Sequence, residues 1–296
     1  MNVQSLSVVV PGGCPNSCLY CVSKTHKEIK YKDTISPCVR RIQNKASFTN
    51  YDMEQYINRM EFARDNGCNT VILTGEGEPV WNKKFLKAFG QWNKALDKPF
   101  RWIEIQTSGI GLDGETLSLL KKVGVNTISL SISSFNDEKN NEYNGIKPEN
   151  QFNIAERCNQ IKKEGFNLRL SINATDAFNR WLPVEIFNTA SILGADQLTF
   201  RVLYDSGNPE HEVDIWINEH RVSNQLQKNF ITYVQENGNK LEQLPFGPFK
   251  YSVDGVSTVI DDDCMSKELK DTIKYFILRP NGKLYTRWDD TGSLWF

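Results

Sequence analysis

The sequence predicts an α/β protein, a partial (β/α)6 barrel of the TIM type followed by a small α+β extension. Three observations carry this reading. Short β-branched runs alternate with longer segments of helical periodicity through the first 205 residues. Several helical segments end at a glycine, a usual helix stop. The strand-like runs also divide cleanly into one apolar and one polar face.

The elements are expected in the following order. Ser5 to Val10 is a strand, and a cysteine-rich loop follows it directly. Tyr51 to Asn66 is a helix stopped by Gly67, Thr70 to Leu73 a strand, and Asn82 to Leu96 a helix. Arg101 to Thr107 is a strand, then Asp113 to Val123 a helix stopped by Gly124. Asn126 to Ile132 is a strand, and Asn150 to Glu164 a helix stopped by Gly165. Asn167 to Asn173, a helix over Pro183 to Leu193 stopped by Gly194, and a sixth strand over Gln197 to Leu203 complete the series.

Beyond Asp205-Ser-Gly-Asn-Pro209 the alternation ends. The barrel core is therefore assigned to residues 1–205 and the extension to 206–296. The extension is predicted to hold one amphipathic helix over Glu219 to Gln235. A hairpin turning at Pro280-Asn281-Gly282 follows, with flanks Tyr275–Leu278 and Leu284–Trp288, and it is expected to cap the barrel. The terminal Arg287-Trp288-Asp289-Asp290 run, with Trp295 and Phe296, is a candidate cover for the open end.

Successive residues on a strand face opposite sides. Ile128, Leu130 and Ile132 thus oppose Ser129, Ser131 and Ser133, while Leu168, Leu170 and Ile172 oppose Arg169, Ser171 and Asn173. Leu198, Phe200 and Val202 oppose Thr199, Arg201 and Leu203, and Ile103 and Ile105 oppose Glu104, Gln106 and Ser108. The apolar faces suit helices packed outside, which leaves polar groups pointing inward. Each such group left unpartnered costs about 1–3 kcal/mol. A barrel lined this way is built to enclose a polar small molecule.

The 296 residues carry a net charge of −1 at pH 7, which argues against a broad basic face for nucleic acid. Seven cysteines without repeating pairs do not form a secreted disulfide framework. Cys38, Cys68 and Cys158 are read as fillers of apolar space. The first 13 residues lack a basic signal-peptide start, and no apolar run approaches the roughly 20 residues needed to span a bilayer. A cytoplasmic, reducing setting is expected.

The chemistry is concentrated in Gly12-Gly13-Cys14-Pro-Asn-Ser-Cys18-Leu-Tyr20-Cys21. This Cys-x3-Cys-x2-Cys spacing places three thiols on one loop. A four-iron cluster ordinarily takes four cysteines, so three would leave one iron open to a ligand. A structural zinc would need a fourth donor, and His26 is the nearest candidate. The spacing alone leaves both metals open. Thr74-Gly75-Glu76-Gly77-Glu78-Pro79 follows the second strand, where glycines allow close backbone approach to a ligand.

With both motifs in view, the chain resembles the radical S-adenosylmethionine (radical SAM) superfamily. The resemblance rests on Cys14, Cys18 and Cys21, on Tyr20 before the third cysteine, and on Gly77-Glu78-Pro79. It departs at Glu76, where the family has a first glycine, and at Ser108 in Gln106-Thr-Ser108-Gly, where many members have asparagine. The resemblance covers residues 5–205 and implies one [4Fe-4S] cluster held by Cys14, Cys18 and Cys21. It implies SAM chelated to the open iron and cleaved by one electron from a flavodoxin- or ferredoxin-like donor. The 5′-deoxyadenosyl radical so formed would take a hydrogen from substrate.

Carried over by position, Gly75, Gly77 and Glu78 would meet the methionyl amino group of SAM. Ser131 and Ser133 would lie near its carboxylate or ribose, and the Tyr20 backbone near adenine. Gln106, Ser108, Asn173 and Arg201 would line the same pocket. The terminal hairpin resembles those of auxiliary-cluster domains, but Arg287 stands where a cysteine is required, so no second cluster is expected. Cys264 is the one candidate for a catalytic thiol. The expected substrate is a small polar or nucleotide-like molecule, with no membrane or nucleic-acid partner. Two alternatives are radical modification of a peptide or protein, including activation of a glycyl-radical enzyme, and a non-catalytic metal-binding regulatory protein.

Overall fold

The computed structural model describes residues 2–25, 53–244, 249–261, 272–288 and 291–295. The first half alternates as expected: β1 (Asn2–Val9), α1 (Val22–Thr25), α2 (Met53–Asp65), β2 (Thr70–Thr74), α3 (Lys83–Ala95), β3 (Trp102–Thr107), α4 (Gly114–Val123) and β4 (Thr127–Ile132). Next come α5 (Asp137–Tyr143), α6 (Ile154–Lys163), β5 (Asn167–Ala174), α7 (Pro183–Ile192) and β6 (Gln197–Val202). Side chains set several helix starts: Asn82, Asp113 and Asn153 each accept a hydrogen bond from the backbone N–H three residues on. Gly124 closes α4 in the left-handed conformation at φ 96°, which a residue with Cβ rarely adopts.

The chain after residue 205 differs from expectation. Two helices, α8 (Glu212–His220) and α9 (Asn224–Asn237), replace the single helix expected over Glu219–Gln235. The break has a local cause. Arg221 bridges to Thr175, the Val222 N–H donates to the Ala174 carbonyl, and Ser223 caps α9. These bonds pull the linker onto the end of β5.

Five more strands follow: β7 (Asn239–Gln243), β8 (Phe249–Val253), β9 (Val256–Asp261), β10 (Thr272–Leu278) and β11 (Leu284–Tyr285). The eleven described strands form one sheet in the order β11-β10-β1-β2-β3-β4-β5-β6-β9-β8-β7. From β10 to β9 every pairing is parallel. The hairpin β10–β11 forms at the predicted place, but it extends the sheet at β1 instead of capping the barrel. The reason lies in the composition of β10. Phe276, Ile277 and Leu278 are all fully buried, and such a continuous apolar run suits a parallel strand covered on both faces.

The outer face of the sheet and the helices share the main core. Ile103, Ile105, Ile128, Leu130, Leu170 and Ile172 lie in it with at most 1% exposure. Stacked rings reinforce it. Phe200 of β6 stacks on Phe230 of α9, which stacks on Phe187 of α7, each pair worth about 0.5–1.5 kcal/mol beyond area burial. Cys68 and Cys158 are buried as predicted, whereas Cys38 lies outside the described residues. Trp295 does not cover the open end. It packs on Phe276, whose ring also meets Phe62 of α2, and so belongs to the outer, helical side. No described helix is long and apolar enough to cross a membrane.

Candidate metal and cofactor site

The loop between β1 and α1 carries the three predicted metal ligands at the C-terminal edge of the parallel strands. Cys14 is exposed, and Cys18 and Cys21 are half-buried. The loop is held from two sides. Asn82 Nδ2 donates to the Pro11 carbonyl at 2.5 Å, while the Ser17 and Leu19 N–H groups donate to the carbonyls of Gly145 and Tyr143 at 3.2 and 3.1 Å. Lys24 Nζ donates to the Cys18 carbonyl at 2.7 Å. Burial, then the neighbouring Cys21 and Cys14 charges, push the Cys18 thiol up to about 12. A metal bound through these thiols would have to displace their protons.

The glycine turn packs directly on this loop. A Cβ on Gly75 would stand 2.7 Å from the Val10 carbonyl oxygen, and one on Gly77 would stand 2.5 Å from that of Gly13. Only glycine permits such contact, so these two positions carry backbone against backbone. The Glu78 N–H then donates to the Gly13 carbonyl at 3.2 Å. The motifs recognised separately in sequence form one backbone-built wall.

Glu78 is buried at 4% exposure. Its Oε2 accepts from the Ser108 N–H at 2.8 Å and from Ser108 Oγ at 2.6 Å. Burial raises its carboxyl above the usual range, and the bonds from Ser108 and Thr107 oppose that rise. Ser108 therefore fixes the carboxylate. Gln106 instead turns to Glu104, at 3.5 Å.

Tyr20 gathers the residues of the other side. Its hydroxyl meets Ser133 Oγ at 2.6 Å, accepts from Asn173 Nδ2 at 3.0 Å and donates to Asn144 Oδ1. Thus the side chain of Tyr20, not its backbone alone, reaches the predicted pocket residues Ser133 and Asn173. Asn144 was missed by sequence reasoning, as was α5, whose C-terminus it caps. The signal available was the turn-forming pair Asn144-Gly145. Gly145 has φ 54° and sits against the Ser17 carbonyl. Trp216 of α8 packs on Tyr20 at 5.8 Å and on Tyr143 at 5.0 Å. Asp176 then ties Tyr143 to His220, at 2.6 and 3.1 Å.

Deeper along the inner face, Glu104 pairs with Arg169 at 2.5 Å, and Arg169 also donates to Gln197. That layer is satisfied. The two layers above it are not: among the described residues, Ser171 Oγ and, one layer on, Arg201 Nε are buried without a hydrogen-bond partner. Ser131, half-buried on β4, shares that face. Cys264, His26, Asp289, Asp290 and Phe296 lie outside the described residues.

Among the described residues, no three His, Cys, Asp or Glu side chains are already drawn together as a metal-binding group. The three thiols share a loop and act on one another electrostatically, but they converge no further than that. The donor set nonetheless fits an iron–sulfur cluster, since thiolates are the cluster's usual ligands. The orphaned Ser171 and Arg201 atoms and the glycine-built wall fit a polar ligand beside it.

A family model described as the Radical SAM superfamily matches residues 8–175. Among solved structures, the chain is similar to anSMEcpe with bound AdoMet, with a TM-score of 0.60 and 14% identity over 96% of this chain and 74% of that one. It is similar to Streptococcus suis SuiB bound to S-adenosylmethionine, with a TM-score of 0.56 and 11% identity. That match covers 96% of this chain but 60% of SuiB. Escherichia coli coproporphyrinogen III oxidase (HemN) gives a TM-score of 0.54 and 15% identity over 99% of this chain and 71% of its own. No curated protein sequence matches.

Proposed function

This chain belongs to the radical SAM superfamily of enzymes, and from that premise we propose that it cleaves SAM reductively to begin a radical reaction on a polar substrate. Superfamily membership implies an iron–sulfur cluster and SAM. Cys14, Cys18 and Cys21 would hold one [4Fe-4S] cluster, which when loaded supplies the electron that breaks a carbon–sulfur bond of SAM. A flavodoxin- or ferredoxin-like protein is the proposed donor of that electron.

The remaining work falls to side chains and backbone of this chain. The Gly75-Glu76-Gly77-Glu78 wall orients the methionyl amino group next to the cysteine loop. Ser131 and Ser133 receive the carboxylate or ribose. Gln106, Ser108, Asn173 and Arg201 complete the polar lining, and Tyr20 closes the loop over it. A site that excludes water strengthens each of these contacts and protects a reactive intermediate.

The observation that carries the proposal is the contact of Gly77 with the Gly13 backbone, which puts the glutamate turn against the cysteine loop. Anaerobic reconstitution followed by reduction with SAM should yield 5′-deoxyadenosine. A colourless protein containing zinc and no iron would overturn the proposal in favour of a regulatory metal site.

The polar inner face supports a small polar or nucleotide-like substrate. A peptide is the second reading, because SuiB has been solved with the precursor peptide SuiA and anSMEcpe with a Cp18Cys peptide. Deuterium transfer into 5′-deoxyadenosine, from labelled metabolites on one side and labelled peptides on the other, separates the two.

A further inference from the structure

We propose that Arg279 is a positioning residue for the glycine–glutamate turn, a guanidinium that locks the C-terminal hairpin to the wall on which SAM is oriented. The function of the turn is taken from the reading above, and the role of Arg279 is inferred from geometry alone. Arg279 follows the last residue of β10, on the strand that runs parallel to β1. Its side chain is 3% exposed.

Such a cation must be compensated where it lies. Nη2 donates to the Trp288 carbonyl at 2.7 Å and to that of Arg287 at 3.4 Å. The guanidinium lies 5.0 Å from the centre of the Tyr285 ring and 5.8 Å from that of Trp288. Nη1 points the other way, 3.7 Å from Glu76 Oε1.

Glu76 is the residue that departs from the family's glycine, and it is flanked by Gly75 and Gly77. Those neighbours have no side chains with which to hold the turn. Position 76 therefore offers the turn a side-chain anchor, and Arg279 is what it reaches. One planar group thus joins three segments: the end of β10, the stretch after β11 and the turn between β2 and α3. The fixed fork of a guanidinium can serve carbonyls on one edge and a carboxylate on the other. A lysine ammonium has three donors on one atom and lacks the spread of the guanidinium fork that spans these two sides.

The experiment uses the cluster-loaded enzyme with the variants Arg279→Gln, Arg279→Lys, Glu76→Gln and the double variant Arg279→Gln/Glu76→Gln. Three quantities are read: SAM affinity by equilibrium binding, hydrogen exchange of residues 74–80, and the thermal midpoint. Arg279→Gln should weaken SAM binding by about tenfold and speed exchange in the turn, with kcat at saturating SAM nearly unchanged. Glu76→Gln should weaken binding by roughly threefold, the scale of a half-exposed ion pair. The double variant should bind no worse than Arg279→Gln, because the effect of Glu76 passes through its contact with Arg279.

Arg279→Lys should recover most of the thermal midpoint but not the SAM affinity, and it carries the test should Arg279→Gln fail to fold. A variant that loses thermal stability while SAM affinity and turn exchange stay at wild-type values would overturn the proposal. So would losses that simply multiply in the double variant. If the wild-type enzyme binds no SAM, the proposed function fails, and exchange in the turn alone decides the role of Arg279.

Discussion

Along β3 to β6 the inner face carries Gln106, Ser129, Ser171, Asn173 and Arg201, whereas at β10 and β11 it carries Tyr275, Ile277 and Tyr285, packed with Val9 and Trp288. Both halves derive from the same two-residue alternation on parallel strands. Among the described residues, the polar half retains groups without partners, Ser171 Oγ and Arg201 Nε among them. In the apolar half, Val9, Ile277 and Tyr285 form a closed cluster at no more than 2% exposure. One half leaves buried polar atoms unsatisfied among the described residues, and the other fills its space with apolar side chains. The boundary between them is the cysteine loop and glycine turn, where backbone replaces side chain.

The most severe test of this division is Cys18→Ala. It should abolish iron binding and SAM cleavage while circular dichroism shows the barrel still folded. Retained cleavage would show that the ligand set is wrong. In the apolar half, Ile277→Ala should cost about 2–5 kcal/mol in denaturant unfolding, the range for truncating a fully buried aliphatic chain. It should leave iron content intact.

Ser171→Ala should behave in the opposite way. Removing an orphaned hydroxyl should raise apo-protein stability by about 1 kcal/mol, and ligand affinity should fall. If both variants lowered stability alike, the two halves would not differ in kind.

The smallest effect is the pH dependence of the apo protein. Glu78 has its carboxyl raised by burial, so the folded state holds that proton more tightly than the unfolded state does. Its contribution to stability is then greatest below the ordinary glutamate range and is lost as pH rises through the raised folded value. Comparing thermal midpoints of wild type and Glu78→Gln between pH 4 and 8 should show the wild type losing ground as pH increases. A parallel pair of curves would remove Glu78 from the account.

The sequence made the barrel and its inner polarity legible because both depend on local periodicity. Ser129, Ser171 and Asn173 were assignable to one face before any contact was known, and the hairpin turn at Pro280-Asn281-Gly282 was found at its place. Which strand neighbours which was not legible. Backbone ladders do not read side-chain identity, so nothing near Thr272–Leu278 announced β1 as its partner, nor Val256–Asp261 its place beside β6. That Asn144 and Trp216 meet Tyr20 was not legible for a related reason: each reaches it from an element distant in sequence. Spacing singled out the thiols, family resemblance gave them and the glutamate turn their expected roles, and only the fold showed that Ser108 fixes Glu78.

The pairing of β1 with β10 has a consequence for how the molecule is made. Asn2 lies opposite Thr272, so the strand that leads into the cysteine loop is synthesised some 270 residues before its outer neighbour. Until that neighbour emerges from the ribosome, β1 presents an unpaired edge of apolar residues, the kind of surface that invites aggregation. Closing so long a loop is slow, and this contact order places completion of the sheet late in folding. The strand that leads into the cysteine loop therefore completes its pairing only after a strand some 270 residues further along has been made.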